Sequence, residues 1–430
     1  MLLSIDNFKS IEHVADVDLS GLTVLAGVNS SGKSSLIQAL LLLKQTLCTS
    51  SNDMLNLAGP YVYAGSVMDL MHNKRSGIMR FSLALFPAEI VKSDLEDFRE
   101  MGYDLDSFKI DVAFKVSSEN YTVSEFRIIL CHKDGQKSEM MLKLRPRKGT
   151  YDLSSKGMAL LNKLEDLKLD KYSFANFFPV FAAKGSEIHN LTLFKASREL
   201  LRHSLERLVY IAPLRVAPVL ARTYNMDVES HHVLPDGENT RLIIDSISGN
   251  TELIGLLKYW ICKRFQLAKD ISIVKETGKR YRALITTNEG LKVDLMHMGF
   301  GLSQILPIVT QGCISVKGST LIVEDPDVHM HPSIQAAMAD FFIFLSLEKG
   351  VTVLIETHSD HFITRIRRRV AEGGVPTSDI HLIFVENEYG ESIYQSIPLS
   401  NKGKLEGSMP NGFLDSLDAD FRAIIKAGLK

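Results

Sequence analysis

The chain has 430 residues, room for one large domain with an insertion or for two to three domains. Its 45% hydrophobic, 23% charged and 8% aromatic composition is that of an ordinary globular protein and excludes a chain dominated by disorder. A formal net charge of −2 provides no overall attraction to nucleic acid or anionic lipid, so any such contact needs a local patch.

Residues 1–25 read as two short strands, the second being Leu22–Ala26, which runs into a glycine loop and then a helix from about Gly32 to Leu47. Leu36, Ala39, Leu40, Leu43 and Leu47 recur at the helical period, which predicts that this face packs on a sheet. Between about Phe81 and Lys148 the runs Phe108–Val116, Tyr121–Cys131 and Met140–Leu144 alternate with polar turns and predict a β-rich lobe, inserted or appended. Residues 155–208 read as mostly helical, ending in Leu200–Arg207 before an apolar strand, Leu208–Ala212, closed by Pro213. There follow a helix Glu252–Phe265, a strand Tyr281–Thr286 and a helix start at Leu302–Gln311, then a very apolar strand, Ser319–Val323, expected to be buried and parallel. A helix Ser333–Glu348, a buried strand Thr352–Ile355, a basic helix from about His361 and a final strand Ile380–Val385 complete the pattern. Strands alternating with helices predict an α/β fold, with a head built from residues 1–80 and 208–430 and an insertion over 81–207.

Cys48, Cys131, Cys262 and Cys313 are scattered without a CxxC pair, which argues against a zinc site or a disulfide framework. No stretch reaches the ~18 apolar residues of a membrane span, and the first residues lack a signal-like basic and apolar run, so the expectation is a cytoplasmic protein with no membrane partner.

Four motifs carry chemistry. Residues 27–35 read Gly27-Val28-Asn29-Ser30-Ser31-Gly32-Lys33-Ser34-Ser35, the G-x-x-x-x-G-K-[ST] loop, placed between a strand and a helix. Its glycines let backbone N–H groups curl around phosphate oxygens at a helix N-terminus. Lys33 is then expected to reach the β and γ phosphates of ATP and Ser34 to ligate Mg²⁺, with Gly27, Asn29, Ser30, Ser31, Gly32 and Ser35 completing the cradle. Such a loop needs an acidic residue at the end of a neighbouring apolar strand, to hold the metal and orient water. Leu321-Ile322-Val323-Glu324-Asp325 provides it; alone it would read as an acidic turn after a core strand. The continuation to Pro332 contains His329 and His331, whose i, i+2 spacing suits hydrogen bonding better than a transition-metal site. Glu356-Thr357-His358-Ser359 sets a histidine at the end of another buried strand, the edge where open α/β sheets bind ligands. Met298–Gln304 is a Gly/Ser loop opening a helix, which by itself reads as a cap.

Together the motifs resemble the ABC-type ATPases of the SMC, RecF and OLD kind. The order matches: Walker A at Gly27–Ser34, a signature-like loop at Gly299–Gln304, Walker B at Leu321–Asp325 and a switch histidine at His358. Glu324–Pro332, Gly299–Pro307, Glu356–Ser359, Ala212–Arg215, Asp236–Thr240 and Pro410–Phe413 are similar to a bacterial AAA family ATPase branch, leaving roughly residues 80–200 outside the resemblance. The resemblance implies an α/β P-loop NTPase head of the ABC type, with a mixed sheet flanked by helices plus the β-rich and helical insertion. It implies that two heads sandwich ATP, with Ser303 of one copy touching the γ-phosphate held by the other. Glu324 takes the place of the metal-binding acid, His358 that of the γ-phosphate-sensing histidine, and Asp325 that of the catalytic glutamate. Asp325 departs from the pattern by one methylene, which implies slow hydrolysis or a shift of the base role, with Asp327 the nearest candidate. Gln38 and Gln45 lie on the first helix and face away from the expected γ-phosphate, so the Q-loop glutamine is unassigned. The implied activity is ATP hydrolysis in a homo-oligomer that controls a separate effector or nuclease subunit in antiphage defence, similar to the Septu PtuA ATPases. The alternative is a RecF-like DNA-binding ATPase of repair or recombination. DNA contact would draw on Arg365, Arg367, Arg368 and Arg369 or on Lys143, Arg145, Arg147 and Lys148, which otherwise read as a solvated helix face and a charge-blunted strand edge. A P-loop kinase or GTPase fits less well, since no Asn-Lys-x-Asp motif is present and the signature-like loop would have no role. No long heptad pattern separates the motifs, so no long coiled coil is expected.

Overall fold

A computed structural model describes residues 1–430 apart from 50–51, 119, 146–147, 158–173, 181–187, 217–221, 224–230, 278–279 and 408–430. The tail motif Pro410–Phe413, Arg147 and parts of the expected helical stretch, 158–173 and 181–187, therefore lie outside the described residues. In chain order the strands are β1 (Leu2–Phe8), β2 (Ile11–Asp18), β3 (Leu22–Ala26), β4 (Gly77–Leu85), β5 (Leu105–Val116), β6 (Tyr121–His132), β7 (Lys137–Arg145), β8 (Thr150–Lys156), β9 (Phe174–Ala175), β10 (Phe178–Pro179), β11 (Leu208–Ile211), β12 (Arg222–Thr223), β13 (Asp270–Glu276), β14 (Arg280–Thr286), β15 (Lys292–Asp294), β16 (Thr320–Glu324), β17 (Thr352–Thr357), β18 (Ile380–Glu388) and β19 (Glu391–Ile397). The helices are α1 (Lys33–Leu47), α2 (Lys92–Glu100), α3 (Ile188–Glu206), α4 (Thr240–Ser246), α5 (Thr251–Lys258), α6 (Phe300–Ile314), α7 (Pro332–Leu347) and α8 (Asp360–Ala371). The fold is α/β. Among the described residues no helix is long and apolar enough to cross a membrane.

The chain divides into two compact units. The first comprises Met1–Leu19, Gly32–Leu208 and Asn387–Tyr394; the second comprises Ser20–Ser31, Val209–Glu386 and Gln395–Lys430.

The first unit holds a seven-stranded sheet in the order β2-β1-β4-β5-β6-β7-β8. Its pairings are antiparallel, and alternation fixes the buried face. Phe108, Ile110 and Val112 of β5 lie opposite Leu130, Ile128 and Phe126 of β6, and all six are buried. Cross-strand apolar pairs of this kind are the unit of sheet stabilisation. Phe81 meets Phe8 and Phe114 edge to face, at 5.4 and 6.3 Å between ring centres. The β-rich stretch continues the sheet begun by the first strands: β4 pairs with β1, matching Leu3 to Leu83 and Ile5 to Phe81. Residues 1–25 hold three strands rather than two, because the chain reverses at Lys9–Ser10 between β1 and β2. Within the expected helical stretch 155–208 the short strands β9 and β10 precede α3.

In the second unit the central strands β16, β17, β3 and β18 are parallel neighbours in that order. Every residue of β3 and β16 is buried, as their mainly apolar runs predict for strands covered on both faces. A second, smaller sheet joins β12, β14 and β13, with β15 on β14; β13 has no counterpart in the sequence reading. The helix predicted over Glu252–Phe265 is α5 followed by a π-turn, Tyr259–Arg264. That turn drives Trp260 into the core, where it meets Phe341 and Phe344 of α7 at 4.9 and 5.5 Å between ring centres. β18 is not the last strand, since β19 follows it across the turn Tyr389–Gly390.

Candidate functional site

Register brings three of the four motifs to one edge of the parallel sheet. Glu324, the last residue of β16, lies opposite Glu356 of β17. Glu356 and Thr357 in turn lie opposite Leu25 and Ala26 of β3. The glycine loop, the acidic turn and the histidine segment therefore all leave the carboxyl ends of adjacent strands, the edge at which open α/β sheets bind ligands.

The loop backbone requires its glycines. Gly27 has φ +151° and is buried; a Cβ there would sit 2.2 Å from the Val385 carbonyl oxygen. Gly32 has φ +102°, and a Cβ would fall 1.8 Å from Ser392 Oγ and 2.5 Å from Ser10 Oγ. Only glycine tolerates both the dihedral and the crowding. Between them Val28, Asn29 and Ser30 are exposed, with Ser30 at φ +62°. Helix α1 begins at Lys33, so the loop ends on a fresh helix N-terminus, where N–H groups and the dipole favour an anion. Lys33 is buried and Ser34 half-buried. The Ser35 hydroxyl lies 2.8 Å from that of Ser10, so this member of the expected cradle has an internal partner. Tyr394 OH donates to the Gly32 carbonyl at 2.6 Å and so helps fix the end of the loop.

The acidic turn concentrates charge in a dry setting. Glu324 is buried and accepts a hydrogen bond from Tyr210 OH at 3.0 Å. Burial first, and the neighbouring Glu356 second, push its carboxyl up to about 8. Asp325 takes φ +46° as the chain turns off the strand, while its N–H donates to the Glu356 carbonyl at 2.9 Å. Asp325 Oδ1 stands 4.0 Å from His358 Nε2, ion-pair range when the histidine is protonated and too long for a hydrogen bond. Asp327 is buried, accepts from Thr357 Oγ1 at 2.7 Å, and is pushed up to about 6, chiefly by burial. Gln335 ties this turn to the histidine segment, donating to the Asp327 and Met330 carbonyls and accepting from Ser359 Oγ at 2.7 Å. Arg215, also buried, donates to the carbonyls of Glu324 and Asp325.

The remaining predicted residues are placed as follows. Gly299 is exposed immediately before α6, and Ser303, one turn in, is only 6% exposed in the single chain. The start of α6 lies against the acidic turn, since a Cβ on Gly301 would be 3.4 Å from the His329 carbonyl oxygen. His331 caps α7, with Nδ1 2.8 Å from Ser333 Oγ, and among the described residues no group of three or more His, Cys, Asp or Glu surrounds a common metal position. Gln45 is spent on the backbone of Asn56, Tyr61 and Val62, and Gln38 accepts from Lys9, which leaves both in structural roles. Sequence reasoning gave no role to Tyr210, Gln335 or Thr357; it quoted Arg215 only within the stretch Ala212–Arg215, whose link to the acidic turn is a long-range pairing.

The residues present fit ATP and a divalent cation. Gly27 and Gly32 leave no room for side chains in a loop that ends on a helix N-terminus, and a buried carboxylate whose proton is held up by burial and a neighbouring acid is a donor that a hard cation would favour in its ionised form.

The "AAA ATPase domain" family matches residues 1–208 and 237–363, well over half of the chain. No curated protein sequence matches. Among solved structures the chain is similar to an SMC head bound to the C-terminal winged-helix domain of ScpA, at 14% identity and TM-score 0.48, covering 93% of this chain and 97% of that one. It is also similar to a Pyrococcus furiosus SMC head with an extended coiled coil, bound to the C-terminal domain of ScpA, at 12% identity and TM-score 0.43 over 99% and 98% of the two chains. A third is the SMC head domain from Thermotoga maritima, at 12% identity and TM-score 0.38 over 93% and 98%.

Proposed function

As the chain belongs to the AAA ATPase domain family, we propose that it binds ATP with Mg²⁺ and hydrolyses it slowly at a site completed by a second copy. The observation that carries this reading is the convergence of the glycine loop, Glu324–Asp325 and His358 on one edge of the parallel sheet. In this reading the backbone of Gly27–Ser34 holds the phosphates and Lys33 neutralises charge on the β and γ groups. Ser34 and Glu324 would hold Mg²⁺, which when bound polarises the phosphoryl oxygens. Asp325 takes the proton of the attacking water, His358 senses the γ-phosphate, and Ser303 of the second copy completes the pocket. Asp327 is a weaker candidate for the base than its position suggests, because the Thr357 hydroxyl already occupies one oxygen.

We infer further that the ATP state controls a separate effector or nuclease subunit, in the manner of the antiphage defence ATPases that the motifs at Gly299–Pro307, Glu324–Pro332 and Glu356–Ser359 resemble. The RecF-like alternative needs free basic charge. Arg365 and Arg369 are bonded to Asp340, Arg368 to Glu372 and Arg367 to the Gly403 carbonyl, which weighs against α8 as the DNA-contacting face; on the other patch Arg145 is bonded to Asp152 while Lys143 and Lys148 are exposed. Lys33→Ala is expected to abolish ATP binding, measured by fluorescence titration with a labelled ATP. Unchanged affinity would refute the site.

A further inference from the structure

We propose that Arg215 is a positioning residue for the hydrolysis put forward above: its guanidinium grips the two carbonyls that frame Asp325 and so holds that carboxylate at the sheet edge.

The need for such a grip follows from the local backbone. β16 makes its last ladder bond when Asp325 N–H donates to the Glu356 carbonyl, and the chain then turns away through a left-handed Asp325. Left-handed backbone costs a non-glycine residue about 1 kcal/mol and persists only where the surroundings impose it. β11, the neighbour of β16 on its other side, ends at Ile211, before the turn is reached. Four residues on, Arg215 supplies side-chain donors to the strand-end carbonyls. Nη2 donates to the Glu324 carbonyl at 2.6 Å and to that of Asp325 at 3.3 Å, while Nη1 reaches the Asp325 carbonyl at 3.4 Å.

The planar fork matters because its two Nη groups reach the carbonyls from one rigid plane, an orientation that the freely rotating ammonium of a lysine does not impose. Charge contributes as well. Arg215 is buried beside Asp325, Asp327 and Glu324, and although burial brings its pKa down to about 10 it stays cationic at neutral pH. Its Nη donors are committed to the turn, so its effect on the reaction runs through the geometry of Asp325.

The test compares the wild-type chain with Arg215→Lys and Arg215→Gln by labelled-ATP binding, steady-state turnover with Mg²⁺, thermal melting and hydrogen–deuterium exchange. Arg215→Lys should bind ATP within about twofold of wild type and yet lose at least about tenfold in kcat. Exchange in a peptide covering 321–330 should quicken about tenfold or more in both variants, while a peptide covering 380–386 should not change. Arg215→Lys with wild-type kcat and wild-type exchange overturns the proposal. So does a parallel loss of ATP affinity, kcat and melting temperature, which would make Arg215 a general structural residue. Absence of turnover in the wild-type protein would instead sink the ATPase reading, and the exchange arm would then decide alone whether Arg215 holds the turn.

Discussion

Glu324 shows how far one residue can be read from its sequence neighbours. Its position at the end of an apolar run makes it the expected metal-binding acid of the proposed site, and it ends β16 at the carboxyl edge of the sheet. What the run does not reveal is the cost of placing it there, because that cost comes from Glu356 on another strand and from burial. With its folded-state pKa raised to about 8, the nucleotide-free protein holds a proton here that the unfolded chain, with an ordinary carboxyl near ~4.3, has lost. Stability from this residue is therefore lost as pH rises from the unfolded pKa through about 8. Glu324→Gln removes the titration while its amide oxygen still accepts from Tyr210. It should stabilise the nucleotide-free protein by about 1–3 kcal/mol at pH 8.5 and by much less at pH 5. Melting curves at the two pH values check this, and an equal gap at both would show that burial of the charge is not the cost. Arg215 and Tyr210 escaped assignment for the same reason: their roles rest on contacts with a strand more than a hundred residues away in sequence.

At the scale of elements, legibility followed burial. β3 and β16 are buried on both faces and read as mainly apolar runs, so both are visible in the sequence. The hairpin β1–β2 was not resolved, because its reversal uses Asn7 and Lys9 at positive φ with no glycine or proline to mark it. β19, Glu391–Ile397, buries Ser392 and exposes Ile393, a pattern with no apolar alternation to find. Helix α8 was legible as basic, but its partner was not. Asp340 of α7 is buried and bonded to Arg264, Arg365 and Arg369; burial alone would raise its carboxyl, but the Arg369 hydrogen bond and the three charges outweigh it and hold it below the ordinary range. Asp340→Asn would leave three guanidinium groups without their shared counter-charge and should cost about 2–4 kcal/mol at pH 7 by chemical denaturation. A folded pKa below the unfolded one gives stability that is present above the unfolded pKa, ~3.9, and lost as pH falls through the folded value. The gap between wild type and variant should therefore narrow at pH 3; a gap that is constant with pH would mean that the carboxylate charge is not what binds α7 to α8.

At the scale of the molecule, the glycine loop contains one of the points at which the chain passes from one unit to the other, since Gly27–Ser31 belong to the second and Gly32 opens the segment Gly32–Leu208 of the first. A single chain supplies the loop, the acidic turn and the histidine. The segment Gly299–Gln304 opens α6, with Gly299 exposed and Ser303 nearly covered. The sequence could suggest this segment only through its resemblance to signature loops, because a contact between two chains leaves no periodicity in either one. In the proposed function the ATP site is composite. Ser303→Arg and Lys33→Ala proteins, each shown by melting to be folded, should each be inactive alone. Mixed in equal amounts they form a hybrid in which the intact loop of one copy faces the intact Ser303 of the other. Turnover should then return to about a quarter of the wild-type rate, because half the dimers carry one competent site of two. Full activity in Ser303→Arg alone, or no gain on mixing, would contradict the composite site.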